Sequence, residues 1–418
     1  MHILFLTDNF PPEVNAPASR TFEHCREWVK AGHRVTVITC APNFPSGVVH
    51  AGYSNRFRQR ETIEGIEVIR VWSYITANEG FLKRTLDYIS YMVSAVLAAP
   101  SVKDVDLVIG TSPQFFTACA GAFVGAMKRK PFVFELRDLW PESIRALGAV
   151  RNERILNWLE RLELYLYRRA AAVVAVTHAF KRDLIRRGID ADKIFVVTNG
   201  VDLTRFEPTP RDEALAREHD LQDKFVAGYI GTHGMAHALE TLLDAAAHLS
   251  AIPDAAHIRI LLLGDGASKK ALKAKAEEMQ LSSVLFLDSV AKDQVGRYWS
   301  LLNVSVIHLK DTELFATVIP SKLFEGMAMG VPVLHGVRGE SAMIVEREGV
   351  GLIFEPENAH ALAEGLLTLA RDEARRGAFA TRAVEAAPRY DRAVLAADML
   401  SILERVETDA RAVRPRAS

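Results

Sequence analysis

Three cysteines in 418 residues, Cys25, Cys40 and Cys119, are too few for a disulfide framework or a thiolate zinc site, and they fit a reducing compartment. No apolar run approaches the roughly 20 residues that span a bilayer. The best of them, Tyr88 to Ala99 (YISYMVSAVLAA), falls well short. The amino terminus lacks a basic lead-in and a small-residue cleavage site, because Met1-His2 runs straight into ILFLT and then meets Asp8, Asn9 and two prolines. The chain is therefore expected in the cytosol, with a membrane surface as its furthest reach. Also missing is the G-x-G-x-x-G turn of a dinucleotide-binding dehydrogenase. The loop after the first apolar run reads TDNFPPEVNAP (Thr7–Pro17), which argues against NAD or FAD. Gly264-Asp265-Gly266-Ala267-Ser268-Lys269 has the wrong spacing for a Walker A loop and reads as a strand-to-helix turn.

What is present is an ordinary globular composition, 49% apolar and 25% charged, in a chain long enough for two or three domains. The net charge of −1 conceals a polarity. Residues 1–200 carry 26 Lys and Arg against 20 Asp and Glu, whereas 201–418 carry 25 against 32. A basic first half suits an anionic partner such as a membrane surface or a phosphate-bearing lipid, and it equally suits scattered solvated charges. No nucleic-acid partner is expected.

Short β-rich runs alternate with helical patterns, the sequence form of parallel βαβ units. In the first half the strand candidates are His2–Thr7, Arg34–Thr39, Glu67–Trp72, Leu107–Gly110, Phe132–Leu136, Val173–Val176 and Ile194–Val197, with helices over Arg20–Ala31 and Arg151–Arg169. The pattern restarts with Phe225–Ile230, Arg259–Leu263, Val284–Leu287, Val304–His308 and Pro332–His335, separated by helices near 237–250, 268–280, 292–302 and 321–329. Asn199–Glu213 reads as the linker, and the chain from Ala361 is helical with a frayed end, RAVRPRAS. The expected fold class is α/β, two Rossmann-like domains facing a central cleft, with ligands beyond the carboxyl ends of the strands.

His233 and His237 stand four apart, as in a helical zinc pair, but no Glu follows the first His. The rival reading is a phosphate loop: Gly231-Thr232-His233-Gly234 falls between a strand and a helix, where backbone amides gather. The strongest segment is VIPSKLFEGMAMGVPVL (Val318–Leu334). Pro320 and Ser321 suit a helix start, which puts Lys322 in the first turn, where an ammonium and free amides converge on a diphosphate. Glu325 follows on the same face, where a carboxylate accepts from two ribose hydroxyls. Capping by Ser321 and Glu325 is the structural alternative. It does not explain a lysine at the positive end of the helix dipole.

IPSKLFEGMAMGVPVL, with NGVDLTRF (Asn199–Phe206), GHRVTVIT (Gly32–Thr39) and FELRDLWPES (Phe134–Ser143), resembles the family-4 retaining glycosyltransferases of GT-B fold. Within that family the chain is similar to bacterial transferases that build O-antigen, capsule or exopolysaccharide, N-acetylfucosaminyl-type aminosugar transferases included. The resemblance implies a donor domain over 201–385, an acceptor domain over 1–200 and a tail, 386–418, that returns to the acceptor domain. It implies transfer with retention from a UDP-linked sugar to a lipid-linked or lipopolysaccharide acceptor. No cofactor and no metal are expected, the nucleotide sugar being a co-substrate. Donor binding falls to Gly231, Thr232, His233, Gly234, Pro320, Ser321, Lys322, Leu323 and Glu325. Lys322 and Asp138 are the catalytic candidates, and Asn15, Ala16, Arg20 and Arg137 lie on the acceptor side. The chain departs from the family pattern at Thr317, where a sugar-contacting Glu is usual, at Thr232 and His237, where Arg and Lys are usual, at Arg137 for a His, and at Asn15-Ala16 for a Gly-Gly loop. A nucleotide-sugar epimerase and an idle sugar-nucleotide-binding scaffold remain rival readings.

Two stretches join basic and apolar residues. Phe81–Leu97, with Lys83, Arg84, Phe81, Tyr88, Tyr91 and Met92, suits a helix lying at an anionic lipid interface. Ile155–Tyr167 is expected to face the core.

Overall fold

A computed structural model describes residues 1–44, 46–76, 81–140, 152–291 and 293–413. The chain forms two compact units, Met1–Thr198 with Arg392–Ser418, and Asn199–Asp391.

The first unit is built on β1 (His2–Leu6), β2 (Arg34–Cys40), β3 (Arg58–Ile63), β4 (Ile66–Val71), β5 (Leu107–Thr111), β6 (Phe132–Leu136), β7 (Ala172–Ala175) and β8 (Ile194–Val196). Their order is β3-β4-β2-β1-β5-β6-β7-β8. HILFL, LVIGT and FVFEL are buried along their whole length, as strands covered by helices on both faces must be. β3 departs from the parallel pattern. It pairs antiparallel with β4 at the sheet edge, and its sequence RQRETI alternates between exposed and half-buried. So polar a strand carries no core signal.

The helix Ala16–Lys30 starts where Asn15 Oδ1 accepts from the Ala18 amide at 2.8 Å. It covers β1, with the Trp28 ring stacked on Phe5. The last helix, Arg392–Val413, packs beside it. The Trp28 indole donates to the Ala396 carbonyl at 2.8 Å, Arg392 pairs with Glu23, and Leu395, Met399 and Leu403 join the core of Ile3, Phe5 and Val37.

The second unit holds β9 (Phe225–Ile230), β10 (Ile258–Leu263), β11 (Val284–Leu287), β12 (Val304–His308), β13 (Val333–Gly336) and β14 (Gly351–Ile353), all parallel, in the order β11-β10-β9-β12-β13-β14. β14 is only three residues long, too short for periodicity to reveal. The expected linker Asn199–Glu213 is largely part of this unit: the Val201 amide donates to the Tyr390 carbonyl at 3.0 Å, and Phe206 is buried in its core. The chain passes back to the first unit after Asp391 rather than at 386, because Ala387 and Tyr390 also belong to that core.

The interfacial reading of Phe81–Leu97 needs correction. Within the helix Phe81–Ala98, Tyr91 is buried, its hydroxyl donating to the carbonyls of Thr7 and Ile38 at 2.9 and 2.8 Å, and Met92 packs on the core. The outward apolar side chains are Leu86, Val93 and Leu97 instead. In the helix Glu153–Arg169, Leu156, Leu159 and Leu166 face inward as expected, but Ile155, Trp158 and Tyr165 are exposed. Pro141–Ser143 of the FELRDLWPES motif, the expected helix start at Arg151, Lys292 and the last five residues lie outside the described residues.

Candidate functional site

The second unit gathers its chemistry where β9, β10 and β12 end. Beyond β9 the chain turns at Gly231, with φ 143°, and beyond β10 at Gly264 and Gly266, with φ 147° and 154°. Here only glycine fits. A Cβ on Gly264 would lie 1.9 Å from the Gly231 carbonyl oxygen, and one on Gly266 would lie 2.5 Å from that of His233. The two loops are laced together by the Gly231 amide to the Leu263 carbonyl (2.8 Å), the His233 amide to the Asp265 carbonyl (2.8 Å) and the Ser268 amide to the His233 carbonyl (2.9 Å). These bonds leave the alternate amides of Thr232 and Gly234 with no acceptor among the described residues.

Lys322 opens the helix Lys322–Ala328 and reaches this loop. A Cβ on Gly231 would meet its Cε at 2.3 Å and its Nζ at 2.6 Å, and the ammonium lies 5.0 Å from the centre of the Tyr229 ring. No ion pair or hydrogen bond holds that ammonium among the described residues. Burial lowers its pKa, and the Glu325 carboxylate one turn on opposes the shift. The amides of Ser321 and Lys322 also lack acceptors among the described residues. Ser321 makes no side-chain cap bond, so the capping alternative fails for its hydroxyl. The Leu323 side chain is core, and its amide donates to the Pro320 carbonyl at 3.1 Å.

His233 and His237 do not share a helix. His237 ends a short 3-10 turn, Met235–His237, and the following helix starts at Glu240, so the zinc-pair geometry is not formed. Both rings lie near Tyr229, at 6.0 and 5.7 Å. His233 is fully buried with neither ring nitrogen bonded. Burial first, then Lys269 and Lys322, pulls its pKa to about 4; burial and Lys322 pull that of His237 to about 3. Both imidazoles are neutral at physiological pH. Lys269 is spent on the Gly264 and Leu287 carbonyls and on Asp288. Among the described residues Lys322 is thus an uncommitted cation beside a loop with unbonded amides, a combination suited to a diphosphate. Tyr229, Gly264 and Gly266 support this site without having been singled out for it, since a Tyr inside VAGYI reads as core and the glycines as a turn. Thr317 sits in the 3-10 turn Phe315–Thr317, its hydroxyl donating to the Leu314 carbonyl at 2.6 Å.

The first-unit candidates are distributed differently. Arg20 is sealed in the core, pairing with Glu135 at 3.0 Å and donating to the Thr198 and Val197 carbonyls at 2.6 and 3.0 Å. That is a structural role. Asn15 caps its helix and donates to Asn9 Oδ1 at 2.7 Å. The Arg137 guanidinium donates to the Pro17 and Ala16 carbonyls at 3.2 and 3.3 Å, and burial lowers its pKa to about 10. The amides of Arg137 and Asp138 both donate to the Ser112 hydroxyl oxygen, at 2.8 and 3.2 Å, which fixes the turn after β6.

Two α/β units built on largely parallel sheets, the second with glycine turns at its strand ends, match the GT-B class of sugar-transferring folds. A UDP complex of Anabaena HepE superposes with TM-score 0.71 over 97% of this chain and all of that one at 19% identity, and WaaG, a glycosyltransferase involved in lipopolysaccharide biosynthesis, with 0.67 over 96% and 99% at 14%. The profile of Glycosyltransferase Family 4 matches residues 18–205, and that of glycosyl transferases group 1 matches 224–372. The chain belongs to the family-4 glycosyltransferases. The putative colanic acid biosynthesis glycosyl transferase WcaI of Escherichia coli K12 is 26% identical over 381 residues, covering 88% of this chain and 91% of WcaI. A GDP-mannose-dependent alpha-mannosyltransferase of Mycobacterium tuberculosis is 24% identical over 389 residues, 92% of each chain.

Proposed function

We propose that the protein transfers a sugar, an N-acetylated aminosugar among the candidates, from a UDP-linked donor to a lipid-linked or lipopolysaccharide acceptor with retention of configuration. The observation that carries this is the Lys322 ammonium, without an ion pair or hydrogen bond among the described residues and set against the Gly231–Gly234 loop. Negative charge develops on the departing diphosphate, and a pre-aimed cation with fixed amides stabilises it without reorganising. Glu325, on the same helix face, receives the ribose hydroxyls. Asp138 positions the acceptor. Support for UDP comes from the HepE complexes, and support for a cell-surface glycan acceptor from the names of WcaI and WaaG. The mannosyltransferase relatives carry the rival, a GDP donor.

In this reading the diphosphate is met by Lys322 and amides alone, so activity persists in excess EDTA; loss there, restored by Mg²⁺ or Mn²⁺, would overturn that assignment. The basic first unit rests on an anionic membrane surface through Lys83, Leu86, Val93 and Leu97 of one helix face, with Arg84 at the margin beside Lys83. A thermal-shift panel of UDP, GDP, ADP and TDP tests the donor site. UDP should raise the melting temperature in wild type and fail to do so in Lys322→Ala. A shift preserved in Lys322→Ala would refute the site.

A further inference from the structure

Residues Ile3 and Phe5 of β1 face Trp28 and the last helix, and the alternate residues Leu4 and Leu6 face the other way. On that other side lie three helices, Phe81–Ala98, Phe115–Lys128 and Glu153–Arg169, with Phe115–Lys128 in the middle and touching both others. The inward residues of the middle helix fill two cores: Ala120 and Val124 pack with Leu4, Leu6 and Tyr91, while Phe115 and Ala118 pack with Phe134, Leu159 and Leu166. Its outward side is apolar as well. FFTACAGAFVGAM carries no charge before Lys128, and on its outer line Phe123 is 59% and Met127 42% exposed. A helix facing water shows polar residues there, and one that is apolar all round belongs where something covers it.

The neighbouring helix supplies the charge that the middle one lacks. In Glu153–Arg169 the residues Arg154, Trp158, Arg161, Tyr165 and Arg168 follow one another by four and three positions in turn, which sets them in a single stripe. All five are exposed, Trp158 to 60% and Tyr165 to 55%. The acids of this helix leave the stripe unneutralised: Glu163 and Glu160 meet Arg187 at 2.8 and 3.3 Å, and Glu153 stands in the first turn. The guanidinium groups of Arg154, Arg161, Arg168 and Arg169 make no ion pair or hydrogen bond among the described residues. On the far side of the middle helix, Phe81–Ala98 exposes Lys83 with Leu86, Val93 and Leu97. The opposite face of the sheet is built differently. Along Ala16–Lys30 and Arg392–Val413 exposed charges pair with one another, Lys30 with Glu27, Arg405 with Asp409 and Arg411 with Glu407.

We propose that this three-helix face is seated on an anionic lipid bilayer, with Phe123 and Met127 at the acyl boundary and the Arg154–Arg168 stripe of the helix Glu153–Arg169 among the headgroups. The inference rests on the reading that the basic first unit meets an anionic membrane, and it moves the centre of that contact from Phe81–Ala98 to the two helices beside it. Charge complementarity selects the occupant. A leaflet offers an apolar interior beneath a layer of phosphates, and the face offers a bare apolar helix flanked by unpaired cations. Guanidinium groups bond phosphate oxygens two at a time, and tryptophan and tyrosine favour the boundary where an apolar ring body meets water. A second copy of the chain fits less well. A two-fold contact through this face would set one arginine stripe near another, and like charges in an interface repel.

The experiment is flotation of the full chain with mixed phosphatidylglycerol–phosphatidylcholine vesicles and with pure phosphatidylcholine vesicles at low salt. Wild type is compared with Phe123→Ser plus Met127→Ser, Arg161→Glu plus Arg168→Glu, Trp158→Phe, and Lys83→Glu plus Arg84→Glu. Every changed side chain is exposed, so each variant should keep the wild-type melting temperature, which controls for folding. Wild type should float with the anionic vesicles, and the Phe123/Met127 and Arg161/Arg168 variants should bind them at least tenfold more weakly. Lipid brominated on its acyl chains should quench wild-type tryptophan emission, and most of that quenching should vanish in Trp158→Phe, which still floats. Unchanged binding in either the Phe123/Met127 or the Arg161/Arg168 variant, or full quenching in Trp158→Phe, would overturn the proposal. A wild-type dimer in light scattering that Phe123→Ser dissociates would also overturn it, by placing a second copy on the face. If only Lys83→Glu plus Arg84→Glu weakens binding, this inference falls and the contact through Phe81–Ala98 stands; wild type that floats with neither kind of vesicle removes the membrane reading as well.

Discussion

Replacing Lys322 by methionine should separate activity from stability in opposite directions. The side chain is half-buried, its ammonium has no ion-pair partner among the described residues, and Gly231 lies so close that even a methyl group there would collide with it. A charge held in that setting is a cost to the fold, and methionine keeps the stem while removing the charge. The sign follows from the lowered pKa. The unfolded chain binds the proton more tightly than the folded one, so stability attributable to this residue rises with pH towards the ordinary lysine range. At neutral pH the penalty is fully present, and Lys322→Met should melt at or above wild type, with the gap closing as pH increases. Catalysis should move the other way. Losing one pre-aimed stabiliser of transition-state charge costs about 2.7–4 kcal/mol, or roughly 10² to 10³ in kcat. Nucleotide release from the donor picked out by the thermal-shift panel measures the rate, and scanning fluorimetry across pH measures the fold. A variant that melts well below wild type and keeps its kcat/KM would show that Lys322 is a structural lysine.

Gly264→Ala should unfold the second unit or disable it, since its Cβ would sit 1.9 Å from the Gly231 oxygen at a backbone angle of 147°; a soluble, active Gly264→Ala enzyme would refute the loop packing. Arg20→Met should cost about 3–5 kcal/mol by leaving Glu135 buried without its charge partner, while the double variant with Glu135→Leu should recover much of that loss in urea unfolding. Glu135 has a lowered pKa, its downward pull coming first from Arg20 against the opposing effect of burial, so its stabilising contribution is present above the ordinary Glu range and fades as pH falls through the folded value; a wild-type acid transition identical to that of the double variant would contradict this. Binding to anionic vesicles should weaken with salt, because surface attraction is screened over about 8 Å at physiological ionic strength, and Lys83→Glu with Arg84→Glu should reduce it. Equal sedimentation with neutral and anionic vesicles at low salt would remove the membrane contact.

Where a strand is buried on both faces, the sequence announced it: FVFEL and FVAGYI stand where the apolar runs put them, with Phe132–Leu136 and Phe225–Ile230 unchanged at either end. β3 was hidden because its exposed edge needs no apolar alternation, and Asn199–Glu213 read as a linker because Gly, Asp and Pro mark a turn whether or not the turn is packed. The donor-side motif was legible because Lys322 stands where the helix dipole disfavours it, a local conflict that points to a ligand. Arg20 misled in the opposite sense. Its partner Glu135 is 115 residues away, and no local pattern in the helix Ala16–Lys30 reveals that the guanidinium is already spent.

The return of Arg392–Val413 to the first unit has a consequence for synthesis. The second unit is contiguous in sequence, so all of its residues leave the ribosome before the first unit has its last helix. Until Leu395, Met399 and Leu403 arrive, the faces of Ile3, Phe5 and Trp28 that they cover stay wet, although those residues were made first. The amino-terminal unit must therefore wait, open along one side, while its successor closes. Whatever shields that side during translation guards an uncovered apolar face, and a nonsense codon just after Asp391 would release a complete second unit tethered to a first unit with an uncovered core.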